Sequence, residues 1–598
     1  MVSLNTNNIS IGSDGQVQFS GLSSGIDFQS IIDTTITAKR ATAVSIENRI
    51  ETNSQQMEDY ASLKTLSETF QSSLDVLRGS TSFFGDDIFE SKTSFFTSTA
   101  AAGAPASHEP SSAGELISAS VASDAATGTH TITIQQIAKA HQVRSGAITD
   151  KTATLLSEGV TSGTFEIGGE TITVSATHTL IDLQDDINAA NAGVTATIVS
   201  ASDTEHYLVI TSEDSGTDNA IDFGTATQTS FDLGLTTANS GASVIANELQ
   251  AAQNAILDVN GITNINRSDN EIDDIIEGVT LSLFQAEADT ELTLTIDTDL
   301  NAVKTELLNF VDGYNAIRSF YDDQRTASDR DLTIDSDGDG DATNDSEFGS
   351  IAFDSTMRGI VEQMVTVAVS NNDSLTDGFQ SLAQIGISVD EDFQLEIDED
   401  ILDNKLLTGV EDVGKLFKFD FTTSDSRVRY VSNTGDTTQG TYYLNFAGTD
   451  GDGDITDGTI SASAGNGTAD DGSLTLNGAA ATATDGTGAD GLTVLFVAGA
   501  SAGAATDITV SFTRGLADQL YHYFEEVNQL GGRLDEINEQ LVERNEDLED
   551  QVETIDARLE VQREALERKY VAMEAALIQL ESLKDTITGF VDAMNSDS

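Results

Sequence analysis

The C-terminal part of the chain carries a regular apolar seam, which restricts the possible folds more than any other feature of the sequence. Between Leu534 and Phe590, alternating steps of four and three residues mark seventeen positions, and thirteen of these are apolar. A seam sustained over eight heptads predicts a coiled coil, whose helix of roughly 85 Å exceeds a compact domain. The alternative, an amphipathic helix on a globular core, fits the length and the regularity less well.

Nine seam positions are the candidate self-association contacts of the chain: Leu534, Leu541, Leu548, Val552, Ile555, Leu559, Leu566, Met573 and Leu580. Four seam positions are polar, namely Asn538, Asn545, Gln562 and Lys569. A buried Asn at such a position fixes the register and the number of partner helices at some cost in stability. The seam can pack against the N-terminal helix of the same chain or against neighbouring subunits, and the sequence does not separate these alternatives.

Helical periodicity also marks the N-terminal region and two central segments. Between Gly25 and Gly79 no Pro or Gly occurs, and apolar residues recur mainly at steps of three, four or seven, so one or two long helices are expected. Further helices are predicted at Val303–Tyr321 and near Met357–Val369. We expect the two terminal helical arms to pack together as a stalk, with β domains between them in the chain.

The region between these helices alternates between apolar and polar residues, as half-buried strands do. Strands are predicted at residues 128–135, 165–167, 172–174, 194–199, 207–211 and 292–296. Gly168-Gly169 and Asn260-Gly261 are typical of hairpin turns. Thr179 with Asp182 predicts the capped start of a short helix, and Gly193 follows its end.

Residues 431–513 differ from the rest of the chain in composition. They contain no Lys or Arg, ten Asp and many Gly, Ala and Thr, with strand-like patches at 442–446 and 492–496. We interpret this segment as an inserted β module with Gly/Asp turns, and a flexible surface loop is the alternative.

The charge balance excludes several classes of partner. Lys and Arg number 28 against 100 Asp and Glu, a formal net charge of −72, so nucleic acids and anionic membranes would be repelled. The absence of Cys excludes disulfides, Cys-ligated zinc and thiol nucleophiles. No run of 18 apolar residues could span a bilayer, and the polar first twenty residues lack the features of a cleaved signal peptide. We therefore expect a cytoplasmic protein or one exported without a cleaved signal, in saline surroundings.

Candidate chemical sites are few. Asp335, Asp337, Asp339 and Gly340 follow the opening of a calcium loop, but Ser346 stands where the bidentate carboxylate belongs, so a solvated acidic loop is favoured. A second run repeats the spacing without the turn Gly: Asp450, Asp452, Asp454 and Asp457. The six His are scattered, and no nucleophile-elbow, P-loop or dinucleotide fingerprint occurs. We predict no catalytic, cofactor-binding or metal site.

Short motifs occur along the chain in a characteristic order. Residues 19–27 read FSGLSSGID, and a Gly128–Ala138 strand, the Phe310–Asn315 helix segment and Gly515-Leu516-Ala517 follow. Together with matches between them, this order resembles the flagellar hook-associated protein 2 family, the filament caps, over most of residues 19–425 and 512–590. The sequence departs from the family pattern at Phe393, where a turn Gly is usual, in the acidic loop 335–347 and in the 431–513 segment.

The resemblance implies an α+β multidomain fold, in which long terminal helices form a coiled-coil stalk, leg and helical domain that carry inserted antiparallel β-rich head domains. It implies a non-enzymatic, secreted cap at the distal tip of the filament, which promotes flagellin folding and insertion. The implied partners are further copies in a ring, most often quoted as five or six, then flagellin, a hook–filament junction protein and a cytoplasmic export chaperone. No cofactor, nucleic acid or membrane insertion is implied.

The predicted division of the chain has eight segments. These are 1–45, a partly disordered N-terminal leg; 46–83, the first part of the helical stalk; 84–147, the first part of a β head domain; 148–243, an inserted outer β head domain; 244–298, the second part of the first head domain; 299–425, the central part of the stalk; 426–512, the acidic Gly/Asp-rich β insert; and 513–598, the C-terminal coiled-coil helix and leg.

Two rival interpretations remain open. Related axial proteins, flagellin or a hook–filament junction protein, usually carry their helical signature at the extreme N-terminus, whereas here it begins near Phe19. A secreted adhesin whose β domains bind surface glycans belongs to a different class.

The charge balance predicts salt-dependent stability. Removing salt lengthens the range of repulsion among the excess carboxylates, so the melting temperature should fall as ionic strength decreases. Thermal unfolding followed by circular dichroism over a salt series measures this effect, and a melting temperature that does not respond to salt would contradict the prediction.

Overall fold

The structure is a computed structural model that describes residues 9–11, 17–19, 27–79, 87–224, 233–239, 242–326, 348–372, 375, 378–462, 471–484, 488–499 and 501–596. It contains two compact units, one of residues 1–85 with 304–598 and one of residues 86–303. The calcium-loop motif at Asp335–Asp341 lies outside the described residues, as does the Gly21–Ile26 part of the N-terminal motif.

The first unit is built on long helices. Numbered in chain order, its helices are α1 (Phe28–Leu77), α4 (Leu300–Arg325, whose first turn belongs to the other unit), α5 (Ser355–Val369), α6 (Glu399–Phe417), α7 (Leu516–Asn528) and α8 (Arg533–Ser596). The predicted terminal and central helices are therefore confirmed. Helix α1 runs without a break for 50 residues, so the predicted boundary between residues 45 and 46 falls inside it, because neither Gly nor Pro interrupts the segment.

Aromatic side chains join four of these helices. The ring of Phe70 on α1 lies 5.6 Å from Phe310 on α4 and 5.5 Å from Phe524 on α7, measured between centroids. Phe310 in turn packs edge-on against Phe417 at the end of α6, at 5.5 Å. Gly313 allows α4 to approach this closely, because a Cβ at that position would lie 2.6 Å from the Phe70 ring.

Two short hairpins also belong to this unit: β1 (Ile9–Ile11) with β2 (Val17–Phe19), and β19 (Ile387–Val389) with β20 (Leu395–Ile397). Phe393, the departure from the usual turn Gly, adopts a left-handed φ of 62° in the second hairpin. Its carbonyl accepts a 3.0 Å hydrogen bond from the Tyr314 hydroxyl, and the Arg318 guanidinium lies 5.6 Å from its ring centroid. Contacts with α4 therefore hold a conformation that Gly would adopt without strain.

The acidic segment is a folded β domain, so the β-module interpretation is confirmed and the flexible-loop alternative is wrong. Its eight antiparallel strands are β21 (Phe419–Thr423), β22 (Val428–Ser432), β23 (Gly440–Thr449), β24 (Ile455–Ser461), β25 (Asp471–Asn477), β26 (Ala480–Thr484), β27 (Thr493–Phe496) and β28 (Ala505–Arg514). They are hydrogen-bonded in the order β21-β28-β23-β24-β25-β26-β27-β22 around an apolar core that includes Phe446, Phe496 and Phe512. We call residues 419–514 the β insert; its first strand begins before the predicted boundary at 426.

The second unit contains two β cores. In the first, a five-stranded sheet in the order β15-β14-β5-β18-β3 shares one apolar core with a three-stranded sheet in the order β16-β17-β4. These elements are β3 (Lys92–Ala100), α2 (Ala113–Leu116), β4 (Ile117–Val121), β5 (Gly128–Gln136), β14 (Ala255–Val259), β15 (Ile262–Arg267), β16 (Glu271–Ile276), β17 (Val279–Leu283) and β18 (Thr290–Thr298).

The second core combines a four-stranded sheet in the order β13-β6-β10-β9 with two hairpins and helix α3. Its elements are β6 (Ala140–Arg144), β7 (Gly163–Ile167), β8 (Glu170–Val174), α3 (Leu180–Ala189), β9 (Val194–Ser202), β10 (Glu205–Ser215), β11 (Thr236–Asn239), β12 (Ala242–Ile245) and β13 (Glu248–Gln250). Strand β6 pairs with β10 because Val143 faces this core, although the predicted division placed residues up to 147 with the other β domain.

The local turn and cap signals of this unit are confirmed. Thr179 and Asp182 form a reciprocal capping box at the start of α3. Asn260 and Gly261 both have left-handed φ, at 52° and 80°, as a two-residue hairpin turn requires.

A pair of helical glycines provides a test of packing in the first unit. Gly313→Ala should destabilise the protein by about 1–3 kcal/mol, because the added methyl collides with the buried Phe70 ring. Gly359→Ala on α5 meets no atom within 4 Å and should raise stability by up to about 1 kcal/mol through helix propensity. Denaturant unfolding of both variants measures the difference, and equal changes would contradict the packing argument.

Candidate assembly seam

The C-terminal seam lies in an antiparallel helix pair formed by α1 and α8. The Phe28 ring stacks on Tyr570 at 4.9 Å, Arg40 binds Asp556 at 2.9 Å, and the Asn53 amide bonds to Asn545 at 2.7 Å. The partner on α8 moves towards the N-terminus as the position on α1 moves towards the C-terminus. One register therefore holds over the whole paired length.

An amide pair marks this register. Nδ2 of Asn53 donates to Oδ1 of Asn545, whose own amide nitrogen lies 3.4 Å from the Ser54 hydroxyl. Asn53 is buried, so sliding the helices would leave its amide without a partner in an apolar seam, which is costly. Asn545 thus lies where the sequence predicted a register-fixing residue, but its partner Asn53 was not predicted.

Ion pairs follow the same register on the rim of the seam. The Arg40 guanidinium reaches both Asp556 and Glu47, and Arg563 pairs with Asp33. The hydrogen bonds from Arg40 hold the pKa of Asp556 below its usual value. Because these groups are partly exposed, their main effect is on register and orientation rather than on stability.

The structure divides the nine predicted seam residues into three groups. Leu534, Leu541, Leu548 and Leu559 are buried within the single chain, and Leu559 is only 6% exposed. Val552, Ile555 and Leu566 are half-buried. Met573 and Leu580 are exposed, Leu580 to 62%. The first part of the seam therefore packs within the chain, whereas its end does not.

Helix α8 continues beyond the contact between Phe28 and Tyr570. Tyr570 lies opposite Phe28 in the first turn of α1, and the 26 residues from Val571 to Ser596 extend about 39 Å further. We call residues 571–596 the α8 extension. Its exposed apolar side chains are Val571, Met573, Ile578, Leu580, Leu583, Ile587, Phe590 and Val591.

The α8 extension has apolar side chains on two faces. Leu580 and Ile587 lie on the seam, whereas Val571 and Ile578 are seven residues apart on the opposite side of the helix. The second face was missed because a search for a single heptad seam ignores the positions that face away from it. A helix that is apolar on more than one side is typically enclosed by several neighbours.

Within the described residues, no group of three or more His, Asp or Glu side chains is arranged to hold a metal ion. At the candidate acidic turn, Asp450 uses a carboxylate oxygen to accept the backbone N–H groups of Asp452 and Asp454. Among the described helices, none is long and apolar enough to cross a membrane.

The chain combines a long antiparallel helix pair, a helix extension with exposed apolar faces and several β domains. This combination places it in the class of structural assembly proteins. Family models match at three places: Flagellar hook-associated protein 2 C-terminus at residues 252–582, Flagellar hook-associated protein 2 N-terminus at 24–141, and Flagellin hook IN motif at 164–214. The C-terminal match alone covers more than half of the chain. The chain belongs to the flagellar hook-associated protein 2 family, the flagellar caps.

Individual relatives are similar over much of the chain. The flagellar hook-associated protein 2 of Escherichia coli K12 is 30% identical over 406 residues, which cover 66% of this chain and 79% of that protein. The B-type protein of Pseudomonas aeruginosa PAO1 is 28% identical over 51% of this chain and 65% of its own length.

Solved structures of flagellar cap proteins are similar as well. The D1-D2-D3 domains of the Escherichia coli cap protein align with 81% of this chain and 99% of that one, at 20% identity and a TM-score of 0.48. The D2-D3 domains from Serratia marcescens align with 30% of this chain and 100% of that one, at 30% identity and a TM-score of 0.26.

The packed part of the seam should control the stability of the single chain. Ile555→Asp with Leu559→Asp should lower the free energy of unfolding by at least about 2 kcal/mol, because a carboxylate would replace a buried leucine. Leu580→Asp is the matched control, since its side chain is already exposed. Denaturant unfolding at a protein concentration where the chain is monomeric measures both, and an unchanged midpoint for the double variant would refute the packing.

Proposed function

We propose that this protein caps the distal tip of a bacterial flagellar filament and promotes the folding and insertion of flagellin during filament growth. The α8 extension is the observation that carries the proposal. It presents apolar faces over a length of about 39 Å beyond the Phe28–Tyr570 contact, in a chain of the flagellar cap family. We infer a structural rather than an enzymatic role.

The two parts of the seam have different partners in this proposal. Residues up to Leu566 hold α8 on α1 within each subunit, and Met573, Leu580 and the following apolar positions contact a second copy of the chain. Charged side chains are sparser on the α8 extension than on the rest of α8, which supports this assignment. The 26 residues of the extension carry four acidic side chains and one basic one, whereas the 38 residues before it carry thirteen acidic and six basic ones. Two copies can therefore approach at the extension with less repulsion than along the rest of the helix.

The remaining partners follow from membership of the family. We propose a ring of five or six copies, contacts with flagellin and with a hook–filament junction protein, and an export chaperone that holds the chain in the cytoplasm. Secretion through the flagellar channel is consistent with a chain that has no disulfides to form or break. The eight-segment division remains a proposal for how stalk, head domains and legs are distributed along the chain.

Self-association tests the role of the α8 extension. Leu580→Asp should lower the oligomeric mass, because it places a charge in the proposed contact between copies, while leaving the melting temperature of the monomer unchanged. Thr588→Asp adds the same charge on the side of the helix that carries Glu581 and Asp592, away from both apolar faces, and should not alter the mass. Light scattering at several concentrations measures both variants. Equal masses for the wild type and Leu580→Asp would contradict the intersubunit assignment.

Deletion of the gene tests the function itself. A strain without the cap should release flagellin monomers into the medium and lack filaments. Returning the wild-type gene should restore the filaments and stop the release of monomers. Normal filaments in the deletion strain would overturn the proposal, and normal filaments with lost attachment would favour the adhesin alternative.

A further inference from the structure

A buried carboxylate lies at the junction between the helical part of the first unit and the β insert. Asp518, in the first turn of α7, is fully buried. One of its oxygens accepts from Nε of Arg78, the residue that ends α1, at 3.0 Å. The other accepts from Nε of Arg514, the last residue of β28, at 2.7 Å. One carboxylate thus connects two helices and the sheet.

The same cluster holds a turn of the β insert. Nη1 of Arg514 donates to the carbonyl oxygens of Gly435 and Thr437, at 2.9 Å and 3.3 Å, and the Asn433 amide lies 3.4 Å from Asp518. The turn between β22 and β23 is therefore tied to α7 by side chains. This tie is independent of the covalent connections at the two ends of the insert.

An aromatic ring and an imidazole on α7 contact the Arg78 guanidinium of the cluster. The Arg78 guanidinium lies 3.9 Å from the Tyr521 ring centroid, and one of its nitrogens lies 3.0 Å from Nε2 of His522. Burial alone would raise the pKa of Asp518, but hydrogen bonding to His522 and the charges of Arg514 and Arg78 hold that pKa well below its usual range. Asp518 is therefore ionised at neutral pH.

The cluster joins two bodies that repel each other. Residues 431–513 carry ten Asp and no Lys or Arg, and the chain as a whole has a net charge of −72. At low ionic strength this repulsion extends over tens of Å, whereas an ion pair buried in the protein is screened little by salt. The two arginines of the cluster supply positive charge at the junction of the two bodies.

We propose that the Arg78–Asp518–Arg514 cluster is a latch that makes the acidic β insert and the helical bundle one rigid body, and that the orientation of the insert depends on the latch most strongly at low salt. The insert keeps its fold without the latch, since its own apolar core is complete. What the latch determines is the orientation of the insert on the bundle.

The absence of Cys makes the proposal directly measurable. Thr475→Cys on the exposed side of β25 and Ser72→Cys on α1 introduce the only two thiols in the chain, which can carry spin labels. The distance distribution between the labels is recorded at about 0.01 M and about 1 M salt, where the Debye length is about 30 Å and about 3 Å. Hydrogen exchange of the insert strands checks that the insert remains folded.

Arg514→Met is the main variant, because it keeps an aliphatic side chain and removes the charge and the hydrogen bonds. Its distance distribution should be broad at low salt and should narrow at high salt, while the wild type stays narrow at both. Arg427→Met is the matched control, because the Arg427–Asp425 ion pair lies within the insert, and its distribution should stay narrow.

A narrow distribution at both salt concentrations in a folded Arg514→Met protein would overturn the proposal. A broad distribution that salt does not narrow would also overturn it, because the latch would then act through packing alone. If Arg514→Met fails to fold, Arg514→Gln replaces it, since it also removes the charge but keeps a polar group beside Asp518. A distribution that is broad at low salt and narrow at high salt in this variant supports the latch, and a narrow distribution at both salt concentrations refutes it.

Discussion

The burial of apolar side chains between α1 and α8 is the interaction on which the rest of the structure depends. It brings together two segments that are about five hundred residues apart in the chain, at pairs such as Phe28 with Tyr570 and Asn53 with Asn545. The β cores of the second unit and the β insert are excursions of the chain between them, which leave the helices and return to them. The loss of chain entropy on closing such a long loop grows only slowly with its length, which makes these large excursions tolerable.

The sequence predicted the elements better than their partners. Helical periodicity identified α1, α4, α5 and α8. Thr179 identified the start of α3, and Asn260-Gly261 identified the turn between β14 and β15. These predictions succeeded because the signals are local. The heptad pattern also placed Asn545 on the seam. It could not show that Asn53 faces it, or that Leu559 is covered by the same chain while Leu580 is not, because periodicity describes one helix and not what lies against it.

The buried charges of the first unit illustrate the same limit. Arg78 and Asp518 are 440 positions apart, and neither stands out in a sequence with 28 basic and 100 acidic residues. Composition indicated an acidic surface, which is an average property. The cluster around Asp518 depends instead on where α1 ends, where α7 begins and where β28 leaves the sheet, and only the folded chain brings these three points together.

The way in which the β insert joins the helices has a consequence for the history of the chain. Its first and last strands are hydrogen-bonded neighbours, with Phe419 opposite Arg514, so the chain enters and leaves the insert at adjacent points. A domain with adjacent ends can be gained, lost or replaced without moving α6 or α7, because the gap left behind spans only the distance between two paired strands. The junction is therefore a site where related chains can differ in whole domains while keeping the same helical framework.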